Sequence, residues 1–392
     1  MIKQIITITS MNLRSLPQRI GTAWVIVIGI AVTVAVIVSV LAMATGFAQT
    51  LKGAARPDRA IVIRAGSQAE LSSTLSREDT QTIMAGPGVR KDINGKPIAS
   101  ADAVVIVTLP LKANGTDANV TLRGISQNAM AMRPEMHLIA GRMFRPAVRE
   151  LIVGKAAVAQ FKGLELGSHI AFRDSDWTVV GIFENGGDAH ESELQGDVET
   201  VLSAYQRNLF QSVVVLLESP EVFDSFKTAL TTNPTLRVSV KRETDYYAEQ
   251  SKSLTKLLNV LAYFVGGIMA LGASFGALNT MYSVVSARAK EIATLRAIGF
   301  SGLPIVVSVV AESLLLSLLG SMLGSAAAWA MFNGHAVNTL GDNFTQVVFK
   351  LTVTASLLGS AAFVACAIGM VGGLFPAIRA ARLPIAIALR SN

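Results

Sequence analysis

Four charged side chains lie close together in the segment SARAKEIATLRAIGF, which runs from 286 to 300. They are Arg288, Lys290, Glu291 and Arg296, and apolar stretches flank them on both sides. Arg288 and Glu291 are three residues apart, a spacing that allows them to pair on one face of a helix. The chemistry open to such a group is ion pairing with another surface.

Apolar residues in the same segment repeat at helical spacing, at Ile292, Leu295 and Ile298. Gly299 suits the end of a helix, and Pro304 suits the start of the next one. The pattern predicts a short helix along the membrane, with its charges toward the cytosol. From the residues alone, two uses remain open: docking to a partner, or a solvated hairpin that only fixes topology.

No other segment offers a clearer site. The four histidines lack ligand spacing, and we expect the acidic segment GDAHESE (187–193) to be a solvated polar loop rather than a metal site. GVRKDINGKP (88–97) fails as a phosphate loop, because its glycines are too far apart and Pro97 follows the lysine. We therefore predict no enzyme activity, no metal and no cofactor in this chain, so that any ATP and magnesium would bind to a partner.

The composition favours a membrane protein, since 51% of the 392 residues are hydrophobic, 16% are charged and the mean hydropathy is +0.48. Four apolar stretches are long enough for the roughly 20 residues that cross a bilayer. The predicted segments are a cytoplasmic interfacial segment 1–19, spans 20–51, 256–282, 305–332 and 351–375, an extracytoplasmic domain 52–255, a coupling loop 283–304, a short extracytoplasmic loop 333–350 and a cytoplasmic tail 376–392.

Basic residues concentrate beside the ends of these spans, in the segments 1–19, 282–304 and 376–392. Together these segments hold nine basic residues and one acid, and the rest of the chain holds 25 basic and 26 acidic residues. This is the positive-inside pattern, so we expect both termini in the cytoplasm and no nucleic-acid partner. Segment 1–19 is interpreted equally well as an amphipathic interfacial helix or as a basic flank.

The segment 52–255 has a different pattern, with charges and turn residues between short strand-like runs. It predicts a mixed α+β domain large enough for its own core. Helices are expected near 76–85, 153–162, 198–208 and 221–231. Strands are expected at RAIVIRA, ADAVVIVTLPL, NVTLRGI, ELIVGK, SHIAFR, DWTVVGIF and SVVVLLE, and again after the last of these helices. From 244 onward, one helix is expected to run directly into the second span.

The segment SARAKEIATLRAIGF resembles the cytoplasmic coupling segment of FtsX-like permeases, a class that includes the MacB-type macrolide exporters and the lipoprotein-releasing permeases. GLFPAIRAARLPIAIALR is similar to the C-terminal end of that family, and MNLRSLPQRIGTAWVIVIGIA to its opening. HLIAGRMFRPAVRELIVGKAAVAQFKGLELGSHIAFRDSDWTVVGIFE resembles the MacB-like extracytoplasmic core. These resemblances cover nearly the whole chain and imply an FtsX-like permease domain over 256–392.

The resemblance implies that the coupling segment docks in a groove on an ATP-binding subunit. Carried over by position, that contact would involve Arg288, Lys290, Glu291, Ile292, Leu295, Arg296 and Gly299. Arg379 and Arg382 form a separate group of candidates in the cytoplasmic tail. Two departures weaken any particular ion pair: Ala287 stands where many members carry an acid, and the tail lacks the acid often found before the last Ala-Leu-Arg.

Polar and small residues inside the spans suggest further contacts. Glu312 lies roughly 12 Å into the third span, where a charge is costly; we favour a structural contact, with a state-dependent hydrogen bond or a proton site as alternatives. Small residues four apart let helices approach closely, either within the bundle or between two copies. They are Gly272 with Gly276, and Gly320 with Gly324.

These expectations describe a membrane permease subunit of an ATP-binding-cassette transporter in the bacterial inner membrane. It would pair with a second permease copy, as a homodimer or a heterodimer, and would bind an ATPase subunit, membrane lipid and a periplasmic adaptor. It would export or extract a lipid, a lipoprotein or a hydrophobic small molecule. One alternative is an FtsX-like regulator of a cell-wall hydrolase, although the 200-residue outer domain is large for that role. A second is a membrane-anchored enzyme with its active site in 52–255, although the sequence shows no recognisable catalytic cluster there.

Overall fold

The computed structural model describes residues 2–15, 20–126, 129–173, 175–341 and 345–382. Chain contacts divide the protein into two units. The helical unit contains residues 1–45, 254–335 and 351–392, so far as they are described, and the α+β unit contains residues 46–253 and 336–350.

Eleven α-helices occur within the described residues. They are α1 (Ile2–Ser15), α2 (Ile20–Gly53), α3 (Arg77–Met84), α4 (Ala129–Met132), α5 (Lys155–Gln160), α6 (Val198–Ala204), α7 (Phe223–Thr231), α8 (Glu243–Ala287), α9 (Ala289–Ala297), α10 (Gly302–Phe332) and α11 (Ala355–Ala381). Short 3₁₀ turns occupy Glu70–Ser72, Ala189–Ser192 and Pro220–Val222.

Twelve strands occur in the same described part of the chain. They are β1 (Arg59–Arg64), β2 (Ala99–Pro110), β3 (Asp117–Ile125), β4 (His137–Gly141), β5 (Glu150–Gly154), β6 (His169–Phe172), β7 (Ser175–Glu184), β8 (Leu194–Asp197), β9 (Ser212–Leu216), β10 (Val238–Arg242), β11 (Ala336–Leu340) and β12 (Gln346–Lys350).

Four of the described helices, α2, α8, α10 and α11, are long and apolar enough to cross a membrane. They contain 34, 45, 31 and 27 residues. This confirms the predicted class of four spans with a large α+β domain between the first and the second. As expected, the second span is the continuation of a longer helix, because α8 begins at Glu243 and has no break before Ala287.

Close packing in the helical unit depends on small residues where helices meet. A Cβ atom on Gly324 would lie 2.3 Å from the Ala31 carbonyl oxygen of α2, and one on Gly320 would lie 2.8 Å from the Val27 carbonyl oxygen. Side chains at these positions would separate α10 from α2. The stripe Gly320–Gly324 therefore serves packing within the bundle, the simpler of its two predicted uses.

The helices α10 and α11 meet through a second set of small residues that the spacing pattern did not single out. A Cβ atom on Gly369 would lie 2.1 Å from the Ser317 hydroxyl oxygen, and one on Gly373 would lie 2.7 Å from the Cβ atom of Ser313. The Ser313 hydroxyl donates a hydrogen bond of 2.8 Å to the Gly369 carbonyl oxygen. Because Gly369 of α11 has no side chain, the Ser313 hydroxyl of α10 can lie against the α11 backbone.

The α+β unit contains one mixed sheet of ten described strands. The strand order is β10-β1-β9-β2-β3-β8-β5-β7-β4, and β6 also pairs with β7. The pairs β3–β8 and β5–β7 are parallel, and the other pairs are antiparallel. Strands β5 and β9 are buried along their whole length, which explains why they read as continuous apolar runs rather than alternating ones.

Every strand expected from the sequence is present, and β4 and β8 were missed. The predicted loop at 333–350 also differs, because it forms the hairpin β11–β12, which groups with the α+β unit. The sequence HAVNTLGDNFTQVVFK has two short runs with β-branched residues on either side of Gly-Asp-Asn, a pattern typical of a hairpin. Segment 1–19 begins with the helix α1, whose Ile8 is buried in the helical unit.

Candidate functional site

The predicted coupling segment forms the short helix α9 between α8 and α10. Ile292 and Ala293 are buried, with 5% and 1% of their surface exposed, and they anchor the helix to the helical unit. After the helix, Gly299 adopts a φ of +100°, a backbone conformation that L side chains rarely adopt and that commonly ends helices. The predicted helix and its C-terminal glycine are therefore both present.

The opposite face of α9 is open. Lys290, Glu291 and Thr294 are exposed, and Ile298 exposes 68% of its side chain just after the helix. Leu295 and Arg296 are half-buried. A single exposed isoleucine is common on protein surfaces and does not by itself mark an interface.

Arg288 lies on the inner side, because only 5% of its surface is exposed. Its Nε atom lies 3.0 Å from Glu291 Oε2, which confirms the predicted pair, and its Nη1 atom lies 3.7 Å from Glu312 Oε2. The side chain of Arg288 is therefore directed into the helical unit. Its predicted place at a partner contact does not match this position.

Glu312 is also buried, with 4% exposed. A buried carboxylate is costly unless a cation accompanies it, and the guanidinium of Arg288 provides that cation. This is the contact expected if Glu312 has a structural role, since it joins α10 to the residue that precedes α9.

The remaining sequence candidates occupy mixed positions. Arg379 is exposed and its guanidinium lies 5.6 Å from the centre of the Tyr282 ring, while Arg382 is exposed at the end of α11. Positions 272 and 276 face open space, since a Cβ atom on either glycine would meet nothing within 4 Å. Of the nine basic residues beside the span ends, Arg19 and Arg390 lie outside the described residues, and the side chains of Lys3 and Arg14 are not described.

The α+β unit contains a buried ionic cluster that the sequence did not reveal. We call Arg123, Glu70, Asp102 and Glu193 the Arg123 cluster. Arg123 donates to both oxygens of Glu70 (2.8 and 2.9 Å) and of Glu193 (2.9 and 3.0 Å), and its Nη1 atom lies 3.3 Å from Asp102 Oδ2. Paired, bidentate contacts of this kind are the strongest hydrogen bonds that side chains form.

The cluster continues to the first turns of α8. His190 lies 3.0 Å from Glu193 Oε2 through Nδ1 and 3.1 Å from the Tyr247 hydroxyl through Nε2. The hydroxyl oxygen of Tyr246 accepts a separate hydrogen bond of 3.2 Å from the backbone N–H of Glu70. Two adjacent tyrosines of α8 are thus hydrogen-bonded within the α+β unit.

A second ionic group holds the N-terminus of α8. Glu243, with 1% of its surface exposed, pairs with Arg59 and with Arg133, whose Nη2 atom lies 3.4 Å from Glu243 Oε1. Arg59 also pairs with Glu135 at 2.9 Å. The carboxylate lies in the first turn of the helix, where the helix dipole favours a negative charge.

Burial and charge act in opposite directions on the acids of the Arg123 cluster. Burial alone would raise the pKa of Glu70 and of Glu193, but the charge and hydrogen bonds of Arg123 outweigh it, and both pKa values fall below the usual range. For Asp102 burial prevails over the same guanidinium, and its pKa rises to about 6. Burial likewise raises the pKa of the neighbouring Asp188 to about 6.

These contacts correct the interpretation of the acidic segment 187–193. It was expected to be a solvated loop, but Asp188, His190 and Glu191 are buried, with 3%, 1% and 7% exposed. Buried polar groups must find partners. His190 contacts Tyr247 and Glu193 contacts Arg123, while Asp188 and Glu191 both accept hydrogen bonds from Asn185. Within the part of the chain that is described, no group of three or more His, Cys, Asp or Glu side chains could hold a metal ion.

A small cavity of about 60 Å³ adjoins the cluster. Its lining includes Glu70, Arg123, Glu193, Tyr246 and Gln346. Such a volume suits a few water molecules rather than an organic ligand.

Comparison with known proteins assigns both halves of the chain. The family of MacB-like periplasmic core domains matches residues 23–233, and the family described as FtsX-like permease C-terminal matches residues 263–385. The chain belongs to the FtsX/MacB family of ABC transporter permeases. With its four apolar helices, this permease is a multi-pass membrane protein.

Relatives of the permease include macrolide export ATP-binding/permease proteins MacB. The one from Bdellovibrio bacteriovorus is 23% identical over 93% of this chain and 58% of its own length, and the one from an Azoarcus species is 24% identical over 98% and 59%. An uncharacterised ABC transporter permease from Methanocaldococcus jannaschii is 26% identical over 56% of each chain. The permease therefore spans about three-fifths of the length of the MacB relatives.

Two solved structures are similar to about half of the permease. The periplasmic region of MacB from Actinobacillus actinomycetemcomitans is 13% identical and covers 48% of this chain and 90% of its own, with a TM-score of 0.36. The extracellular domain of the noncanonic ABC-type transporter YknZ from Gram-positive bacteria is 20% identical and covers 47% and 99%, also with a TM-score of 0.36.

Proposed function

We propose that this permease transmits the motion of a separate ATP-hydrolysing subunit to its α+β unit, and thereby exports or extracts an apolar substrate such as a lipid, a lipoprotein or a hydrophobic small molecule. Family membership supports the coupling to ATP, since the MacB relatives are named ATP-binding/permease proteins. The sequence contains no G-x-x-x-x-G-K-[ST] phosphate loop, so the proposal places hydrolysis outside these residues.

The observation that carries this proposal is the helix α8. Its first turns are hydrogen-bonded within the α+β unit through Glu243, Tyr246 and Tyr247, and it remains helical to Ala287, immediately before α9. A continuous helix transmits displacement along its axis, because a sharp kink requires a proline, a bulge or an inserted group in its hydrogen-bond ladder, and α8 contains no proline. A push on α9 would therefore reach the outer domain without a flexible joint.

The exposed face of α9 is the proposed contact with the ATPase. Lys290, Glu291, Thr294 and Ile298 supply a mixed charged and apolar surface there, and Arg379 and Arg382 add positive charge from the end of α11. Arg288 contributes indirectly in this scheme, by fixing α9 to α10 through Glu312.

The assembly that we propose contains two permease copies and two ATPase subunits in the bacterial inner membrane, with both termini in the cytoplasm. The open glycines Gly272 and Gly276 of α8 would let the two copies approach closely. Four spans are few for a transport route on their own, which favours pairing. A periplasmic adaptor and membrane lipid are the further proposed partners.

Ile298→Glu tests the coupling surface. The full chain is purified from native membranes into lipid nanodiscs, and the ATPase that co-purifies is identified and its rate of ATP hydrolysis is measured. Losing a buried isoleucine at the contact corresponds to about 1.5–3 kcal/mol, so we expect the ATPase to bind roughly ten to a hundred times more weakly.

Ile93→Glu is the matched control, because Ile93 is fully exposed in the α+β unit and lies far along the chain from α9. This variant should retain the ATPase. The proposal is wrong if no ATPase accompanies the unaltered chain, or if the two variants retain it equally.

A further inference from the structure

Strand β2 has an open edge along its second half. Residues 99–102 pair with β9 on one side, whereas 103–110 pair with β3 on the other side. Beyond Asp102, no described strand pairs with the side of β2 that β9 leaves, although the Pro110 carbonyl oxygen at the end of β2 accepts from the Lys162 N–H at 2.9 Å. The open stretch therefore covers residues 105–108. Unpaired strand edges are templates for the addition of another strand.

The orientation of the backbone groups on this edge follows from two contacts. The Val104 N–H donates to Gln211 Oε1 at 2.8 Å, and the Asp102 carbonyl oxygen accepts from the Gln211 N–H at 2.8 Å. Because alternate residues of an antiparallel strand direct their backbone groups to the same side, Ile106 and Thr108 present theirs to the open edge. Each offers one donor and one acceptor.

Strand β6 forms a second open edge that faces the same groove. It pairs with β7 alone among the described strands. The Val179 N–H donates to the Ser168 carbonyl oxygen, so residue 170 also bonds toward β7, and Ala171 directs its backbone groups the other way. The strands β2 and β6 are not paired with each other.

Between these edges lies a groove of about 450 Å³. It is lined by Leu71, Val105, Ile106, Val107, Thr108, Ala171, Phe172, Arg173, Tyr205 and Arg207. Arg173 and Arg207 are the charged residues in this described lining, and both are exposed. The Arg173 guanidinium lies 5.1 Å from the centre of the Tyr205 ring, which holds it beside the groove.

We propose that this groove binds an extended, acidic segment of a partner polypeptide, which adds a strand between β2 and β6. The open backbone groups of Ile106, Thr108 and Ala171 provide its hydrogen bonds, as in other cases of recognition by strand addition. Arg173 and Arg207 select acidic side chains. The proposal does not rest on ATP coupling, because the groove lies wholly within the α+β unit.

The experiment uses the full chain in nanodiscs and a fluorescein-labelled, acetylated octapeptide of alternating valine and glutamate. Fluorescence anisotropy measures binding. The matched peptide with lysine for glutamate should bind about tenfold more weakly, and Arg173→Glu combined with Arg207→Glu should reverse this preference. On binding, hydrogen exchange should slow at the amides of Ile106 and Thr108, while those of Val105 and Val107, directed toward β3, change little.

Two changes test the backbone contacts. Ile106→Pro removes an N–H from the edge and should abolish binding, whereas Ile106→Thr keeps the N–H and should bind normally. A glutamate peptide that is N-methylated at alternate residues tests the same contacts with the unaltered chain, in case the proline variant does not fold. The proposal is overturned if the glutamate peptide does not bind, if N-methylation has no effect, or if the arginine reversals leave the peptide preference unchanged.

Discussion

Replacing Arg123 by methionine preserves most of the length of the side chain but removes the charge at the centre of the Arg123 cluster. Glu70 and Glu193 each lose two hydrogen bonds, and Asp102 loses its nearest described cation. All four side chains are buried.

The size of the effect follows from the two orphaned glutamates. Removing one partner of a buried ion pair costs about 3–5 kcal/mol. A carboxyl group escapes the penalty by binding a proton, which at pH 7 costs roughly 3 kcal/mol for a group of ordinary pKa. Two such groups give about 6 kcal/mol at neutral pH, a large part of the roughly 5–15 kcal/mol that stabilises a typical domain.

The pH dependence has a definite sign. Arg123 lowers the pKa of Glu70 and Glu193 in the folded chain, so their contribution to stability is present above the pKa of the unfolded chain and is lost as the pH falls below it. In Arg123→Met the two glutamates fold in the protonated form, and the cost of binding those protons falls as the pH approaches their ordinary pKa. The variant should therefore be destabilised strongly at pH 7–8 and by less than half as much near pH 5.

Denaturant titration of the full chain, followed by the fluorescence of the buried Trp177, measures this loss. Trp24→Phe and Trp329→Phe remove the other two tryptophans. The matched control is Arg77→Met, because Arg77 makes the same bidentate contact, at 2.8 and 2.9 Å, with the exposed Glu199. An exposed pair contributes about 0.2–1 kcal/mol, so this variant should unfold nearly as the unaltered chain does.

The reasoning is refuted if Arg123→Met and Arg77→Met lose the same stability, or if the loss at Arg123 does not depend on pH. The first result would mean that burial adds nothing to the pair. The second would mean that the glutamates do not respond to Arg123.

Three other substitutions test separate parts of the structure. Asp188→Asn should stabilise the α+β unit by about 3 kcal/mol at pH 8 and by little at pH 4. The pKa of Asp188 is raised in the folded chain, so the stability of the unaltered chain falls as the pH rises from about 4 to 6. Denaturant titration at both pH values measures this difference in stability. Gly324→Ala should lower the melting temperature in detergent, because overpacking against α2 costs about 1–3 kcal/mol. Gly272→Ala should leave the melting temperature unchanged, and equal values for the two variants would contradict the packing of Gly324 against α2. Glu312→Gln should lower the same melting temperature more than Glu291→Gln, because the first leaves Arg288 with a weaker buried partner and the second alters an exposed one.

Local patterns in the sequence sufficed for much of the fold. Long apolar runs predict the four spans, because each must bury its backbone in a helix to cross a bilayer. Runs such as RAIVIR and SVVVL predict β1 and β9 through their β-branched residues. The strands that were missed are short: β8, LQGD, has one large apolar residue in four, so it is identified by its neighbours β3 and β5 rather than by its own pattern.

In the coupling segment, the spacing of residues predicts the helix but not which of its sides is buried. Helical spacing correctly pairs Arg288 with Glu291 and ends the helix at Gly299, but it does not indicate which side of the helix packs inward. The guanidinium of Arg288 faces Glu312, which is on another helix. Assigning Arg288 to a partner surface required knowledge of α10 that the segment itself does not contain.

By itself, the sequence determined the number of spans, the expected charge asymmetry and most of the strands, since these depend on composition and periodicity over a few turns or residues. The tertiary structure alone decided that Glu70, Asp102, Arg123 and Glu193 share one buried site, and that Gly324 packs against α2 while Gly272 faces open space. Those facts depend on which distant segments meet when the sheet and the bundle form, and burial then determines whether a charge is a solvated surface group or a stabilising contact.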